Sequence, residues 1–442
     1  MMHEILTRAA KKCDQAEVYH LQRKIIPVQF DAQGLSVIKT KQSEGVALRT
    51  IREGRLGYAT TTDLSHPDEV VEAAAATAAF GDATELAFPS ESPDILKGID
   101  NPALGELPAE RLVDLGERIR EAILQDEDGV EVGLTVQTIV DQVRVSNTAG
   151  LDIEERVTAI NVSLEATRAR AGDIFTVSDS CLARSLDVLS VDRITQRIRW
   201  LLNEGREVVS APSGSMPVVF TPAGALAVFL PIAIGLNGKS ALLGTSPLRG
   251  KQGQQVFDER LSVFDDGRCE SGARAGSFDD EGVPTSRTIL ADKGVLRNFF
   301  YDLRTAKQAE VHSTGNGFKG GFIGGRNFRP SPSPTISQFV VGEGDVSDDD
   351  LVRGIKKGLI VDTVLGLGQG NVNAGDFSNN VGAAFLVEDG KIVGRVKNVM
   401  IAGNSYDLLL NHLIGLSNQS KWTYGRFRSP SIALGNVSVA AK

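Results

Sequence analysis

Cysteine is nearly absent: Cys13, Cys181 and Cys269 are the only three in 442 residues. They are too few and too far apart for a disulfide framework or a Cys-x-x-Cys zinc site, so a reducing compartment, by default the cytoplasm, is the expectation. Histidine is scarce too, and His3, His20, His66, His312 and His412 each lack a second His or a Cys within four positions. His3-Glu4 would open a zinc-binding helix motif only with a second His one turn on, where Thr7 and Arg8 stand. No run approaches the ~18 apolar residues of a membrane span, and residues 1–8 lack the charged and apolar regions of a secretion signal, so neither is expected. Positive charge is outweighed, 47 Lys and Arg against 56 Asp and Glu, for a net charge of -9. Binding to duplex DNA by phosphate neutralisation is thereby disfavoured, and no direct nucleic-acid contact is expected. A Gly-x-Ser-x-Gly elbow is missing, and Cys269 stands among Asp265, Asp266 and Glu270, the wrong electrostatics for a thiolate nucleophile.

What is present describes a chain able to bury cores: 41% of residues are apolar and 23% charged. The length suggests two domains of about 200 residues each. Apolar spacing predicts helices over 4–12, 70–80, 109–125 and 189–202. Partly alternating runs predict strands over 17–21, 25–30, 35–40, 45–51, 56–60, 130–136, 139–146, 151–168 and 175–178, with a turn at 147–150. Helices and strands come in blocks, so an α+β fold with an antiparallel sheet is expected for residues 1–205. Residues 206–217, rich in Pro, Gly and Ser, read as a linker. Residues 218–442 read as a mainly β domain, with strands over 218–220, 256–263, 286–291, 339–342, 358–365, 383–388, 391–399 and 431–439. Its helices are expected over 223–234, 303–309, 348–357 and 407–414.

Several stretches have the letters of a chemical motif without its context. Gly315-Asn316-Gly317-Phe318-Lys319-Gly320 spells a dinucleotide fingerprint, but polar His312-Ser313-Thr314 precede it where a strand is needed. Gly238-Lys239-Ser240 ends like a phosphate loop, yet the required first glycine is Ala233. Gly366-Leu367-Gly368-Gln369-Gly370 reads as a glycine-rich turn. Asp279-Asp280-Glu281-Gly282 lacks the alternating spacing of a calcium loop and reads as a solvated turn. A non-standard metal site of Asp279, Asp280, Glu281 and His312 stays open as an alternative.

A series of phrases in one order resembles the TldD/TldE (PmbA) family of metalloproteases. It runs through Leu236-Asn237-Gly238-Lys239-Ser240, Phe278-Asp279-Asp280-Glu281-Gly282-Val283-Pro284-Thr285, Tyr301-Asp302-Leu303-Arg304-Thr305-Ala306, Ser313-Thr314-Gly315-Asn316-Gly317, Gly375-Asp376-Phe377-Ser378 and Ile401-Ala402-Gly403-Asn404. Fainter matches lie at Gly45-Val46-Ala47-Leu48-Arg49 and Ser146-Asn147-Thr148-Ala149-Gly150. In the TldD branch a helix carries His-Glu-x-x-x-His, and a cysteine near the C-terminus completes the zinc site. Here the matching segment reads Thr221-Pro222-Ala223-Gly224-Ala225-Leu226-Ala227-Val228-Phe229-Leu230-Pro231, and no cysteine follows Cys269.

The resemblance therefore implies a TldE/PmbA-type subunit with no catalytic or metal-ligating residue and no cofactor of its own. Its implied partners are a TldD-type zinc-bearing homologue in a heterodimer, or a second copy in a homodimer, and an unfolded peptide cut at the partner's zinc. Candidate substrate- or partner-contacting residues are Asp279, Asp280, Glu281, His312, Gly315, Asn316, Gly317, Gly375, Asp376 and Phe377. A stand-alone peptide-binding or regulatory protein is the other class this pattern allows.

Overall fold

The computed structural model describes the whole chain except residues 126, 128, 171, 322, 323 and 442. The fold is α+β, built on two large sheets. The first sheet has seven strands: β1 (Gln15–Asp31), β2 (Gly34–Ile38), β3 (Lys41–Arg52), β4 (Arg55–Thr61), β5 (Val130–Asn147), β6 (Asp152–Arg170) and β7 (Asp173–Ala183). Their order is β4-β3-β1-β5-β6-β7, with β2 also beside β1, and each pairing is antiparallel.

The sequence reading split β1 and β5 into two strands each, whereas each is continuous. In β1 the gap expected at residues 22–24 is closed, since Gln22, Arg23 and Lys24 pair with both β3 and β5, and the strand runs on through Pro27. Pairing with β3 ends at Ile25 opposite Lys41, and pairing with β2 begins at Val28 opposite Ile38. The missing N–H of Pro27 thus falls in the gap between two partners, where no ladder bond is demanded on that side. The β5–β6 turn is closed by Asn147, whose Oδ1 accepts from the N–H groups of Ala149 and Leu151 at 2.9 and 3.2 Å.

Alternation divides this sheet into two faces. Val132, Leu134, Val136, Val162 and Leu164 point to one side, where helices Ala109–Leu124 and Val191–Glu204 cover them. Close approach is aided by Gly116, where a Cβ would overlap the Phe30 ring. The second sheet presses on the same layer: Val219, Ile360, Phe385, Val387 and Ala433 share this core. One apolar core thus spans the two sheets.

The second sheet has twelve strands, most of them antiparallel. Gly214–Phe220 lies parallel to Lys357–Leu365 and antiparallel to Phe427–Ala441 at its centre. Residues 206–217 are not the free linker their composition suggests. Val208–Val209 pairs with Lys391–Val396, and Gly214 already belongs to a central strand. The strand expected over 256–263 begins only at Val263, that over 391–399 breaks at Asn398, and Leu413–Thr423 is a strand that polar residues 417–421 had masked. Helix Leu226–Gly235 is apolar all round and buried, with Phe229 against Phe339 and Phe427 at ring distances of 6.2 and 5.9 Å. Among the described residues, no helix is long and apolar enough to cross a membrane.

Candidate functional site

The other face of the first sheet meets the loops of the second domain. Its cross-strand rows follow from register: Glu17 opposite Arg49, Arg49 opposite Tyr58, Arg23 opposite Asp141. At one end of this face the turn 278–284 is inserted as a wedge. Phe278 joins Tyr19, Val143 and Phe328 in a small core, and a Cβ on Gly282 would overlap Leu151. Asp279, Asp280 and Glu281 are fully buried, so the solvated acidic turn expected from the sequence is corrected.

Each carboxylate accepts hydrogen bonds within the protein, and of their oxygens Asp280 Oδ1 lacks one, facing Arg326 Nη1 at 3.9 Å instead. Asp279 Oδ1 accepts from the N–H groups of Glu281 and Val283, and its Oδ2 accepts from that of Gly317 at 2.7 Å. Asp280 Oδ2 accepts from the Lys319 N–H at 2.8 Å. Glu281 Oε1 accepts from Arg49 Nη1 and its Oε2 from the Leu303 N–H. Arg49 turns its other end to Glu17 at 2.9 Å, giving a Glu17–Arg49–Glu281 triad no more than 3% exposed. Burial pushes the Asp279 and Asp280 carboxyls upward, and backbone N–H groups pull them back.

Lys319, 2% exposed, completes this network. Its Nζ lies 5.1 and 4.9 Å from the ring centres of Tyr19 and Tyr58 and donates to Tyr58 Oη at 3.2 Å. Burial, then the charge of Arg49, lower its pKa to about 8, while Glu17, Asp280 and Glu281 oppose the shift. Glu17, Arg49 and Lys319 escaped the sequence reading. The available signal is a charge inside an otherwise uncharged run, as with Arg49 in phase with Ala47 and Ile51 on a strand stretch buried on both faces.

Gly315, Asn316 and Gly317 join this cluster and are equally buried. Asn316 Nδ2 donates to Asp265 Oδ2 at 2.5 Å and to the Thr335 carbonyl at 3.0 Å. Glycine is required at 315 by a φ of 73° and by the Pro284 carbonyl, and at 317 by Glu281, so the protein's own turn explains both. Gly375, Asp376 and Phe377 lie elsewhere, on the second sheet. Asp376 accepts from Asn404, and Phe377 is buried edge-on to Phe220 at 6.3 Å. His312 is exposed and has no hydrogen bond to any of the three acids. Among the described residues no group of three or more His, Cys, Asp or Glu side chains is arranged to hold a metal ion, so the cluster of Asp279, Asp280, Glu281 and His312 does not form. Of the ten candidates, then, six meet in one buried interdomain network rather than on a surface.

Beyond the wedge the same sheet face stays open as a trough. A cavity of about 280 Å³ is lined by Arg23, Gln137, Asp141, Arg274, Arg326 and Arg426, among others. Two residues further along β5 and β7, from Gln137 to Thr135 and from Leu182 to Ser180, a polar cavity of about 540 Å³ begins. Its floor includes Gln29, Thr135, Ser163, Ser178 and Ser180, and its far wall includes Ala223, Thr363 and Tyr424. The outer carbonyls of β7 at Ser178 and Ser180 are taken by Arg197 and Arg193, at 3.2 and 3.3 Å.

Ala223 belongs to segment 221–231, which the resemblance sets against the zinc-bearing helix expected of TldD-type chains. Zinc needs thiolate, imidazole or carboxylate donors. This segment has only the Thr221 hydroxyl, which donates to Asp362 at 2.9 Å, so its residues do not fit the metal. Asp362 is held in turn by Arg197 at 2.5 Å.

Comparison with known proteins agrees with the fold. Residues 213–441 match the PmbA/TldA metallopeptidase C-terminal domain, and residues 16–78 match domain 1 of the same family. An uncharacterized protein of Methanocaldococcus jannaschii is 24% identical over 433 residues, 98% of each chain. The metalloprotease TldD homolog of Haemophilus influenzae is 32% identical over 203 residues, 46% of this chain and 40% of its own length. The crystal structure of TldE from Thermococcus kodakarensis superposes with a TM-score of 0.89 at 25% identity, covering 99% of each chain. With over half its length matched, this chain belongs to the PmbA/TldA metallopeptidase family.

Proposed function

We propose that this chain is the non-catalytic, TldE/PmbA-like subunit of a two-component zinc metallopeptidase. It lays unfolded polypeptide along the trough while a TldD-type homologue supplies the zinc. The observation that carries this reading is the apolar segment 221–231, which stands at the end of an open polar trough without one metal donor. The polar floor suits an extended main chain, whose N–H and C=O groups pair with hydroxyls and amides whatever its sequence. Since Arg193 and Arg197 occupy the edge of β7, the peptide lies across the sheet face rather than adding a strand there.

The test is to purify the chain alone and together with a zinc-bearing homologue, then measure zinc by mass spectrometry and cleavage of a denatured polypeptide. The chain alone is expected to hold less than about one zinc in ten molecules and to cleave nothing, and the pair to cleave in a chelator-sensitive way. Stoichiometric zinc with turnover in the isolated chain would end this reading.

A further inference from the structure

The smaller cavity of the trough carries more arginine than its own carboxylates can satisfy. Arg23 is paired bidentately with Asp141 at 2.6 and 2.7 Å, and Arg326 with Glu155 at 2.5 Å. Arg274 and Arg426 have no ion pair among the described residues. Arg426, 8% exposed, donates only to the Ile336 and Gly324 carbonyls at 3.0 Å. Arg274 reaches only the Gly324 carbonyl, at 3.5 Å. Two guanidinium nitrogens here, Arg274 Nε and Arg426 Nε, are buried without a hydrogen-bond partner, whereas Arg326 Nη1 faces the Asp280 carboxylate at 3.9 Å.

Leaving guanidinium charges without a carboxylate partner is destabilising, and an anion bound in the cavity offsets it. Burial, then the charges of Arg274 and Arg326, depress Arg426 to about 9, while Asp265 and Asp280 oppose the shift. The rest of the lining narrows the choice of anion. Ile25, Ile139 and Leu182 offer apolar contact beside the arginines, and about 280 Å³ holds one residue rather than a large ligand.

We propose that this cavity binds a peptide carboxylate, with Arg274 and Arg426 gripping the oxygens and Ile25, Ile139 and Leu182 receiving an adjoining apolar side chain. The carboxylate has two sources, the free C-terminus of a peptide lying in the trough or an acidic side chain. Only the peptide origin rests on the function proposed above; the anion site does not.

The experiment uses the full chain and three probes: N-acetyl-Ala-Val as free acid, the same compound as its amide, and N-acetyl-Glu-amide. Affinities are measured by calorimetry and thermal shift. At least one acid is expected to bind tenfold or more tightly than the uncharged amide, and which acid does so identifies the source. Arg274→Gln, which removes the less engaged arginine, is expected to bring acid and amide within about twofold while leaving the melting temperature of the free protein near wild type. Arg426→Lys keeps the charge but loses the fork, and is expected to weaken the acid at least threefold. Equal binding of acids and amide, absence of binding, or undiminished preference in Arg274→Gln overturns the site. Small acids that bind alongside a longer polypeptide that does not would instead retain the site and overturn the peptide-holding role.

Discussion

Arg49 is the residue whose removal tests the interdomain network most directly. In Arg49→Met the Glu17 and Glu281 carboxylates keep their buried positions and lose the cation between them. At 2.9 Å and an effective dielectric constant of about 20, the pair with Glu17 has a gross attraction of about 6 kcal/mol, most of it offset by desolvation. Removing one member of a buried pair forfeits that attraction and leaves the desolvation, a net loss of about 3–5 kcal/mol. Unfolding entropy of ~2.1 cal/mol/K per residue over 442 residues converts this into a fall of about 3–5 °C if the chain melts in one transition.

The deficit has a pH signature. Burial already raises the Glu17 carboxyl, and without Arg49 it rises further. A carboxyl raised above its unfolded value binds protons more readily when folded, so its destabilisation grows as pH climbs through that window. The gap between variant and wild type is therefore expected to be larger at pH 8 than at pH 5, measured by calorimetry and urea melts. Glu17→Gln in the Arg49→Met background is expected to recover at least 1 kcal/mol. A variant within 1 °C of wild type at pH 8, or a gap that does not change with pH, refutes the argument.

The remaining expectations follow the same network. Asp302 caps helix Leu303–Gln308 through Thr305, and burial, aided by Glu281, raises its pKa to about 6. Asp302→Asn keeps the cap but removes the titration. Wild-type stability is expected to fall relative to the variant as pH rises from about 4 to 6, by up to about 3 kcal/mol, and parallel pH profiles would count against it. In Gly317→Ala the new Cβ overlaps Glu281, so a loss of about 1–3 kcal/mol is expected in denaturant melts. Gly133→Ala, with nothing within 4 Å of the new atom, is the control, expected to be neutral or stabilising by up to about 1 kcal/mol. A reversed order of these two glycine variants would show that the close approach at 317 is not constraining.

Much of the architecture is legible in alternation and turn chemistry. The β5–β6 hairpin turns at Asn147-Thr148-Ala149-Gly150, where Asn147 holds the corner and Gly150 adopts a φ of 104°. The Ala109–Leu124 stripe of Leu112, Leu115, Ile119 and Ile123 faces the sheet as its spacing implies. Legibility fails where partners are remote. Asp279, Asp280 and Glu281 read as a solvated turn because the charges and amides that hold them lie on distant segments, 232 residues away for Arg49 and Glu281. Gly315 and Gly317 read as sites of peptide approach, whereas the Pro284 carbonyl and the Glu281 side chain are what approach them.

The identity of the donor atoms is a covalent matter. Segment 221–231 has no imidazole, thiolate or carboxylate, and no folding supplies one, so its failure to fit zinc is readable without coordinates. Whether a charged side chain meets water or another charge depends on which segments are brought together in space. Burial of the acidic turn beneath the first sheet, the lysine between two tyrosines and the arginine-rich hollow beside them are accordingly products of domain packing. Arg274 and Arg426 have nothing in common along the chain; the second domain brings both to the Gly324 carbonyl, and the face of the first sheet, through Arg23, Ile25, Gln137 and Ile139, closes the cavity over them.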